Sequence, residues 1–298
     1  RGRSGRQDHR GAEGGGPAEV MFEFPVLDNH VHLQPRGRNV EGVKDFLKAG
    51  GTHLIVSHMP YQEAPVRSAE DFRSAYGITL RMVEVARSAG AGAFATLGPY
   101  PVQLLELAEA MPLERAVEVM KGGMDIAASL VREGRAIALG EIGRPHFPVP
   151  DDVMAASNAI LAYGMQLAKE CGCPVVVHAE SATPASMEEL GAMADRVGLP
   201  RERVVKHYCG PLVAPHESRG LYPSVLATRP MVQEALAKGD RFLLETDFMD
   251  DLERPGAVLA ITTVPKRMRQ LVEKGTDPSV LWKVNKDNPE RVYGITIG

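Results

Sequence analysis

The chain has 298 residues, 44% of them hydrophobic, and a formal net charge of -4 at pH 7. This length and hydrophobic content are sufficient for one large core, such as that of an eight-stranded α/β barrel of about 250 residues. No run of about 18 apolar residues occurs, which argues against a membrane-spanning helix. A mildly acidic chain also lacks the basic character of a general nucleic-acid-binding protein.

The N-terminal segment and the cysteines predict the setting of the protein. Residues 1–20 are rich in Gly and Arg and lack the apolar segment of a signal peptide, so we expect a disordered extension or a cloning remnant. The rest, residues 21–298, is expected to form a single domain. The chain has three cysteines, and two of them, Cys171 and Cys173, are too close in sequence to link distant segments. This usage favours a reduced, cytoplasmic protein.

Short apolar runs alternate with longer amphipathic segments along the chain, and this alternation predicts βα units around a parallel sheet. Eight such runs are predicted to be strands: residues 25–33, 53–59, 92–99, 136–143, 174–180, 203–209, 221–227 and 241–248. An open doubly wound sheet is the alternative, but it would favour a Gly-rich phosphate turn after the first strand. The first strand instead ends in Asp28-Asn29-His30-Val31-His32. We therefore predict a TIM (β/α)8 barrel.

The segments between these runs are predicted to be mostly helical. The clearest cover residues 68–90, 151–172 and 183–198, because each begins or ends with a residue typical of a helix terminus. Residues 103–134 are expected to form two helices separated near Pro112. The sixth helix should be short or missing because Pro211 and Pro215 interrupt its segment, and the helical tail 279–293 should break near Pro289.

Polar side chains occur at the carboxyl ends of several predicted strands, where TIM barrels place their active sites. His30 and His32 lie two residues apart, so the alternation of a strand puts both on one face. Taken singly, such residues have ordinary explanations: His207 as a core histidine and Glu141 as a buried ion-pair partner. Together they predict a metal site, because buried imidazoles and carboxylates are costly unless paired or metal-bound. The predicted ligands are His30, His32, Glu141, His178, His207 and Asp247.

The strand-end order His-x-His, Glu, His, His, Asp resembles that of the TatD-like metal-dependent hydrolases of the amidohydrolase superfamily. The resemblance covers about residues 26–295. The segments that carry it are Gly140-Glu141-Ile142-Gly143, Pro174-Val175-Val176-Val177-His178, Leu244-Glu245-Thr246-Asp247 and the closing segment 288–294. Glutamate on the fourth strand, in place of a lysine to be carboxylated, favours this branch over the phosphotriesterase-like relatives.

The resemblance implies a hydrolase with two divalent metal ions. His30, His32 and Asp247 would bind the first ion, and His178 and His207 the second. Glu141 would bridge the two ions, and Asp247 would also orient a water molecule and accept its proton, so these two carboxylates are the predicted catalytic residues. Four imidazoles suit Zn, Mn, Fe, Co or Ni better than Mg.

The sequence departs from the TatD pattern around the predicted substrate. Glu180 follows the fifth strand where TatD nucleases commonly carry an arginine for the substrate phosphate, and its charge would repel a phosphate. Arg144, directly after Gly143, is predicted to replace that phosphate clamp. His146 is predicted to line the mouth, with a solvated loop histidine as the alternative. Glu245 shares the alternation of Asp247 and is expected to orient a ligand.

Three functions remain open from the sequence. The first is a phosphodiesterase or DNase that acts on a nucleic-acid end and needs cations such as Arg144, Arg36 or Arg38. The second is a hydrolase of a small carboxylic ester, lactone or amide, which the acidic Glu180 favours. The third is a non-catalytic metal-binding scaffold, against which the intact Asp247 counts. Oligomeric state is not predicted.

Overall fold

The computed structural model describes residues 22–298; the predicted extension at residues 1–20 lies outside the described residues. All strand pairs are parallel, in the order β8-β7-β6-β5-β4-β3-β2-β1-β9. The strands are β1 Leu27–His32, β2 His53–Ser57, β3 Gly92–Leu97, β4 Ala138–Gly143, β5 Val175–His178, β6 Val204–Lys206, β7 Tyr222–Leu226, β8 Leu243–Glu245 and β9 Phe248–Met249.

The eighth strand of the barrel consists of two pieces. β8 pairs with β7, whereas β9 pairs with β1 through Val31 opposite Phe248. Thr246 and Asp247 interrupt the strand between the two pieces, and Asp247 has a left-handed backbone with φ 49°. The two pieces together close the sheet, which confirms the predicted TIM barrel.

The helices surround the sheet: α1 Val40–Lys48, α2 Asp71–Ser88, α3 Gln103–Ala110, α4 Leu113–Arg132, α5 Asp151–Cys171, α6 Pro184–Val197, α7 Pro215–Ser218, α8 Arg229–Lys238, α9 Thr263–Glu273, α10 Pro278–Trp282 and α11 Asn288–Tyr293. Pro112 separates α3 from α4, as predicted. The sixth crossover has only the single turn α7. The tail is helical without a gap from Pro278 to Tyr293, because a π-helical turn at Lys283–Asp287 joins α10 to α11; the predicted break near Pro289 is therefore wrong, since Pro289 lies in the first turn of α11, where it needs no N–H partner. Among the described residues, no helix is both long and apolar enough to cross a membrane.

The barrel interior has an apolar lower layer and a polar upper layer. Seven strands contribute to the lower layer, together with the C-terminal Val292, Tyr293 and Ile297. These strand residues are Leu27, Ile55, Ala138, Val176, Val205, Tyr222 and Leu243. Two residues further along β5, β6 and β8, strand alternation brings His178, His207 and Glu245 to the same inner face.

Strands β1 and β4 need a register shift to direct their ligands inward. Leu27 belongs to the inner layer, yet Val31 packs in the outer core between sheet and helices. The pairing of β1 with β2 shifts between Asp28 and Val31, and that of β4 with β5 shifts between Gly140 and Ile142. A bulge of this kind re-aims side chains. These shifts let His30, His32 and Glu141 share the mouth with the ligands from β5 and β6.

Candidate metal centre

The six predicted ligands meet at the carboxyl end of the barrel in two groups. His30, His32 and Asp247 form one, and Glu141, His178 and His207 form the other. Within each group, one potential ligand atom per residue lies within 4.8 Å of the others. Five of the six are buried and His178 is partly exposed. For the four histidines and Asp247 this division agrees with the TatD resemblance, whereas a third group, His30, His207 and Glu245, combines residues across it.

Glu141 lies between the two groups. Its Oε1 is 2.8 Å from His30 Nε2 and 3.1 Å from His207 Nε2. Its Oε2 is 3.7 Å from His178 Nδ1. On the other side of the first group, Asp247 Oδ1 is 3.4 Å from His32 Nε2. One carboxylate therefore contacts ligands of both groups, the position needed by a bridge between two cations.

The donor atoms fit divalent metal ions better than they fit one another. His30 Nε2 and His32 Nε2 are 3.2 Å apart, and two neutral imidazole nitrogens that face each other share at most one proton. Glu141 Oε1 is buried without a hydrogen bond of good geometry. Buried acceptors without donors are costly. Four imidazoles with two carboxylates suit transition metals, which would satisfy these atoms.

Partners behind the imidazoles fix their orientation. His32 Nδ1 is 3.1 Å from the carbonyl oxygen of Ser57, which can only accept a hydrogen bond, so the proton lies on Nδ1 and the Nε2 lone pair faces the site. His30 Nδ1 is 3.1 Å from Ser57 Oγ. Glu245 Oε1 is 2.9 Å from His207 Nδ1, a close contact without hydrogen-bond geometry, and it accepts a hydrogen bond from the backbone N–H of Tyr208 at 2.8 Å. This position agrees with the predicted inward direction of Glu245. The role of Ser57 was not predicted, because serine within an apolar strand carries no such signal.

Asp28 holds the interrupted eighth strand next to the first. Its Oδ1 accepts hydrogen bonds from the backbone N–H groups of Thr246 (3.0 Å) and His30 (3.2 Å), and its Oδ2 accepts one from Thr246 Oγ1 (2.6 Å). Burial raises the pKa of Asp28 to about 7, although these hydrogen bonds oppose the shift. Asp28 therefore connects the His30 backbone to the residue preceding Asp247, a role that the sequence analysis missed.

The charges of the site depend on one another. Burial disfavours the charged form of His30, yet the carboxylate of Glu141 outweighs it and raises the pKa of His30 to about 9. Burial likewise opposes the charge of Glu141, but His207 and His30 hold its pKa well below the usual range. The pKa of Asp247 is lowered, because His207 and His32 outweigh its burial. Without metal, a proton on His30 thus balances part of the carboxylate charge.

Arg144 is not positioned as the predicted phosphate clamp. Its side chain is 5% exposed and its Nε donates to Glu180 Oε2 at 2.9 Å. Its Nη1 donates to Glu189 Oε1 at 2.8 Å and to Asn158 at 3.1 Å, and its Nη2 donates to both carboxylates. Every guanidinium N–H direction is thus occupied within the protein, and a phosphate would have to displace two carboxylates.

The same contacts revise the expectation for Glu180. Its carboxylate is paired with Arg144, and burial, which raises the pKa of Glu180, is outweighed by these contacts, which lower it. The predicted repulsion of a phosphate is therefore partly offset. Of the other arginines considered, Arg36 contacts Glu63 at 2.6 Å and Arg38 contacts Asp45 at 2.7 Å, both at the surface.

A cavity of about 450 Å³ opens over the two ligand groups. His146 lines it, as predicted, with its Nδ1 2.9 Å from His178 Nε2. Tyr100 also lines it and was not predicted, although it follows the carboxyl end of the third strand as the other site residues follow theirs. Its ring packs edge-on against His178, with the ring centroids 5.1 Å apart. Burial raises the pKa of Tyr100, and the charges of Glu141 and Asp247 add to the shift.

Comparison with known proteins agrees with this arrangement. The family described as "TatD related DNase" matches residues 27–294. A Methanocaldococcus jannaschii protein named "Uncharacterized protein MJ1127" is 40% identical over 284 residues, which cover 94% of this chain and 99% of that protein.

Solved structures show the same fold. The Escherichia coli TatD homolog YJJV has a TM-score of 0.61 at 21% identity, over 91% of this chain and 98% of its own. The E. coli phosphotriesterase homology protein, solved with phosphate in its active site, has a TM-score of 0.61 at 14% identity, over 92% of this chain and 100% of its own. The family match, together with the fold, shows that the chain belongs to the family of TatD-related DNases and is a metal-dependent hydrolase.

Proposed function

We propose that this hydrolase cleaves phosphodiester bonds at a centre of two divalent metal ions. His30, His32 and Asp247 hold one ion, His178 and His207 hold the other, and Glu141 is shared. The observation that carries the proposal is the position of Glu141 between the two groups, 2.8 Å from His30 Nε2 and 3.1 Å from His207 Nε2. Zn, Mn, Fe, Co and Ni are the candidate ions. When bound, such a pair polarises the phosphoryl group and makes water a better nucleophile at neutral pH.

The protein side chains orient the reactants and move the proton. Asp247 is the general base, because a carboxylate is ionised at neutral pH and its Oδ1 lies at the mouth, 3.4 Å from His32 Nε2. The left-handed backbone of Asp247 and the Asp28–Thr246 contacts fix its direction. His146, which contacts His178 and lines the cavity, is placed to contact substrate at the rim.

The kind of bond that is cleaved depends mainly on whether the site accepts a negatively charged substrate. Pairing with Arg144 offsets part of the repulsion that Glu180 would exert on a phosphodiester, although the same guanidinium also pairs with Glu189. The cavity over the ligands is about 450 Å³, within the range of small-molecule sites, so the end of a nucleic acid or a small phosphodiester is the expected substrate. The family description as a DNase supports the same class.

The test is cleavage of end-labelled single-stranded DNA by protein supplied with Mn, Zn or Mg in turn. We expect shortening from one end by the wild type and by Glu118→Gln, a matched change at an exposed residue of α4. Glu141→Gln should not cleave. Failure of every metal to support cleavage, or equal cleavage by Glu141→Gln, would contradict the proposal.

A hydrolase of small esters, lactones or amides is the second candidate. The part of the mouth beside His146 and Tyr208 encloses about 340 Å³, and among the described residues lining it none is lysine or arginine. A neutral carbonyl substrate needs no such cation. If DNA is not cleaved, a panel of small esters, lactones and amides, with Glu141→Gln as control, tests this candidate.

A further inference from the structure

Tyr100 lies at the mouth of the barrel in a constrained loop. It lies between Pro99 and Pro101, directly after the third strand. Its backbone N–H donates to Gln103 Oε1 at 3.1 Å, and its carbonyl accepts from the backbone N–H of Gln103 at 3.0 Å. Its ring packs edge-on against His178. Two prolines and the turn to Gln103 therefore restrict the backbone at Tyr100, and the contact with His178 places its ring.

The hydroxyl of Tyr100 has no assigned role in the fold. Within residues 22–298, no group forms a hydrogen bond with it, although its side chain lines the cavity together with Glu141, His178 and Asp247. By contrast, the hydroxyl groups of Tyr61, Tyr76, Tyr222 and Tyr293 each have a partner. A phenol remains protonated at neutral pH and can donate one hydrogen bond. The donor of Tyr100 is thus available to a group that enters the cavity.

The proposed function supplies the identity of that group. A phosphoryl group bound at the two-ion centre must lie beside His178 and the shared Glu141, which are cavity-lining residues like Tyr100. Negative charge builds on its non-bridging oxygens during hydrolysis, and a fixed neutral donor stabilises that charge without a repulsive partner.

We propose that the Tyr100 hydroxyl donates a hydrogen bond to a non-bridging phosphoryl oxygen of the substrate, on the His178 side of the centre. Tyr100 is then a catalytic residue. The inference rests on the proposed function for the phosphate ester and for its binding at the two-ion centre.

The experiment compares wild type, Tyr100→Phe and Tyr163→Phe in the full chain. Tyr163 supplies a matched control, because its hydroxyl donates to Asp125 between α5 and α4, away from the cavity. Metal content and thermal unfolding are measured first, then kcat and KM on the cleaved phosphodiester, and then calorimetric binding of inorganic phosphate to the metal-loaded proteins. We expect Tyr100→Phe to keep its metals and lower kcat by about 100-fold, the effect of removing one oxyanion donor. It should also bind phosphate about tenfold more weakly, while Tyr163→Phe resembles wild type.

The outcomes separate this inference from the proposed function. A wild type that cleaves DNA, with unchanged kcat and phosphate affinity in Tyr100→Phe, overturns the role of Tyr100 alone. A wild type that cleaves no phosphodiester overturns the proposed function, and phosphate binding then decides on Tyr100. If wild type and Tyr100→Phe then bind phosphate equally, or if neither binds it, the role of Tyr100 is overturned as well.

Discussion

Asp28 and Thr246 form two hydrogen bonds across the closure of the barrel, one to the backbone N–H and one to the hydroxyl of Thr246. The next residue, Asp247, has a left-handed backbone at the point where the eighth strand is interrupted. A non-glycine residue adopts this conformation at a cost unless its surroundings hold it. The carboxylate of Asp28 therefore fixes where the base Asp247 points.

Removal of this carboxylate should impair both stability and catalysis. Asp28→Ala leaves two donors of Thr246 without their partner, and we expect a loss of about 1–3 kcal/mol in the free energy of unfolding. A misplaced Asp247 should lower kcat by about 100-fold. Asp28→Asn retains one acceptor, so its free energy of unfolding and its kcat should both fall by less. Denaturant unfolding and steady-state kinetics measure both effects; an Asp28→Ala protein with wild-type kcat would show that Asp247 needs no such support.

Glu245 should affect the affinity for one metal ion more than the affinity for the other. Its Oε1 lies 2.9 Å from His207 Nδ1, and His207 belongs to the group with His178. Loss of such a partner behind a ligand commonly costs about 10–100-fold in metal affinity. In a calorimetric titration, we expect Glu245→Gln to weaken the binding of the second ion by this factor and the binding of the first ion by less. Glu234→Gln, on α8, is the matched surface control; equal weakening of both ions would contradict the assignment.

The metal-free protein should lose stability as the pH rises. The pKa of His30 is about 9 in the fold against 6.5 for an ordinary histidine. Its protonation stabilises the folded state fully below about pH 6.5, and this contribution is lost as the pH rises through 9. Metal binding requires the neutral imidazole, so metal affinity should instead increase over this interval.

Urea unfolding of chelator-treated protein between pH 6 and pH 10 measures this loss. His30→Asn removes this contribution and should make the dependence shallower above the pKa of about 7 that burial gives Asp28. A wild-type stability that is constant, or that rises with pH, would show that His30 holds no extra proton in the metal-free fold.

Arg144 should act on stability and not on phosphate recognition. Arg144→Ala leaves Glu180 and Glu189 without the buried guanidinium that pairs with both, and breaking a buried pair is strongly destabilising. Both carboxylates are partly exposed, with side-chain exposures of 36% and 54%, so we expect a smaller loss of about 2 kcal/mol. The lost stability is read from chemical unfolding, with the exposed Arg196→Ala as control. If Arg144→Ala raised KM and left the free energy of unfolding unchanged, the result would support the original prediction that Arg144 binds the substrate phosphate.

The histidine ligands could be predicted from the sequence, because an imidazole at the end of an apolar strand is costly to bury without a partner. His30 and His32 follow an apolar strand, and His178 follows three valines, so burial of an imidazole had to mean a partner or a metal. The barrel followed from eight apolar runs. Helix α7 was expected to be short because prolines interrupt its segment.

Other features depend on backbone geometry that composition does not encode. The bulges of β1 and β4 and the left-handed Asp247 shift which side chains face inward, and no residue type marks them. Asp28 was read only as part of a histidine motif, although it supports Asp247. Arg144 was assigned to phosphate because of its place directly after Gly143. Its pairing with Glu189, 45 residues away, could not be foreseen from the sequence.

The most direct test of the central claim is the number of metal ions bound per chain. Elemental analysis of Zn- or Mn-loaded protein, after removal of loosely bound metal, should give two ions per wild-type chain and one per His178→Ala chain. Hydrolytic activity should appear only as the second equivalent is added. A single ion per active wild-type chain, or two ions in His178→Ala, would contradict a two-metal centre that shares Glu141.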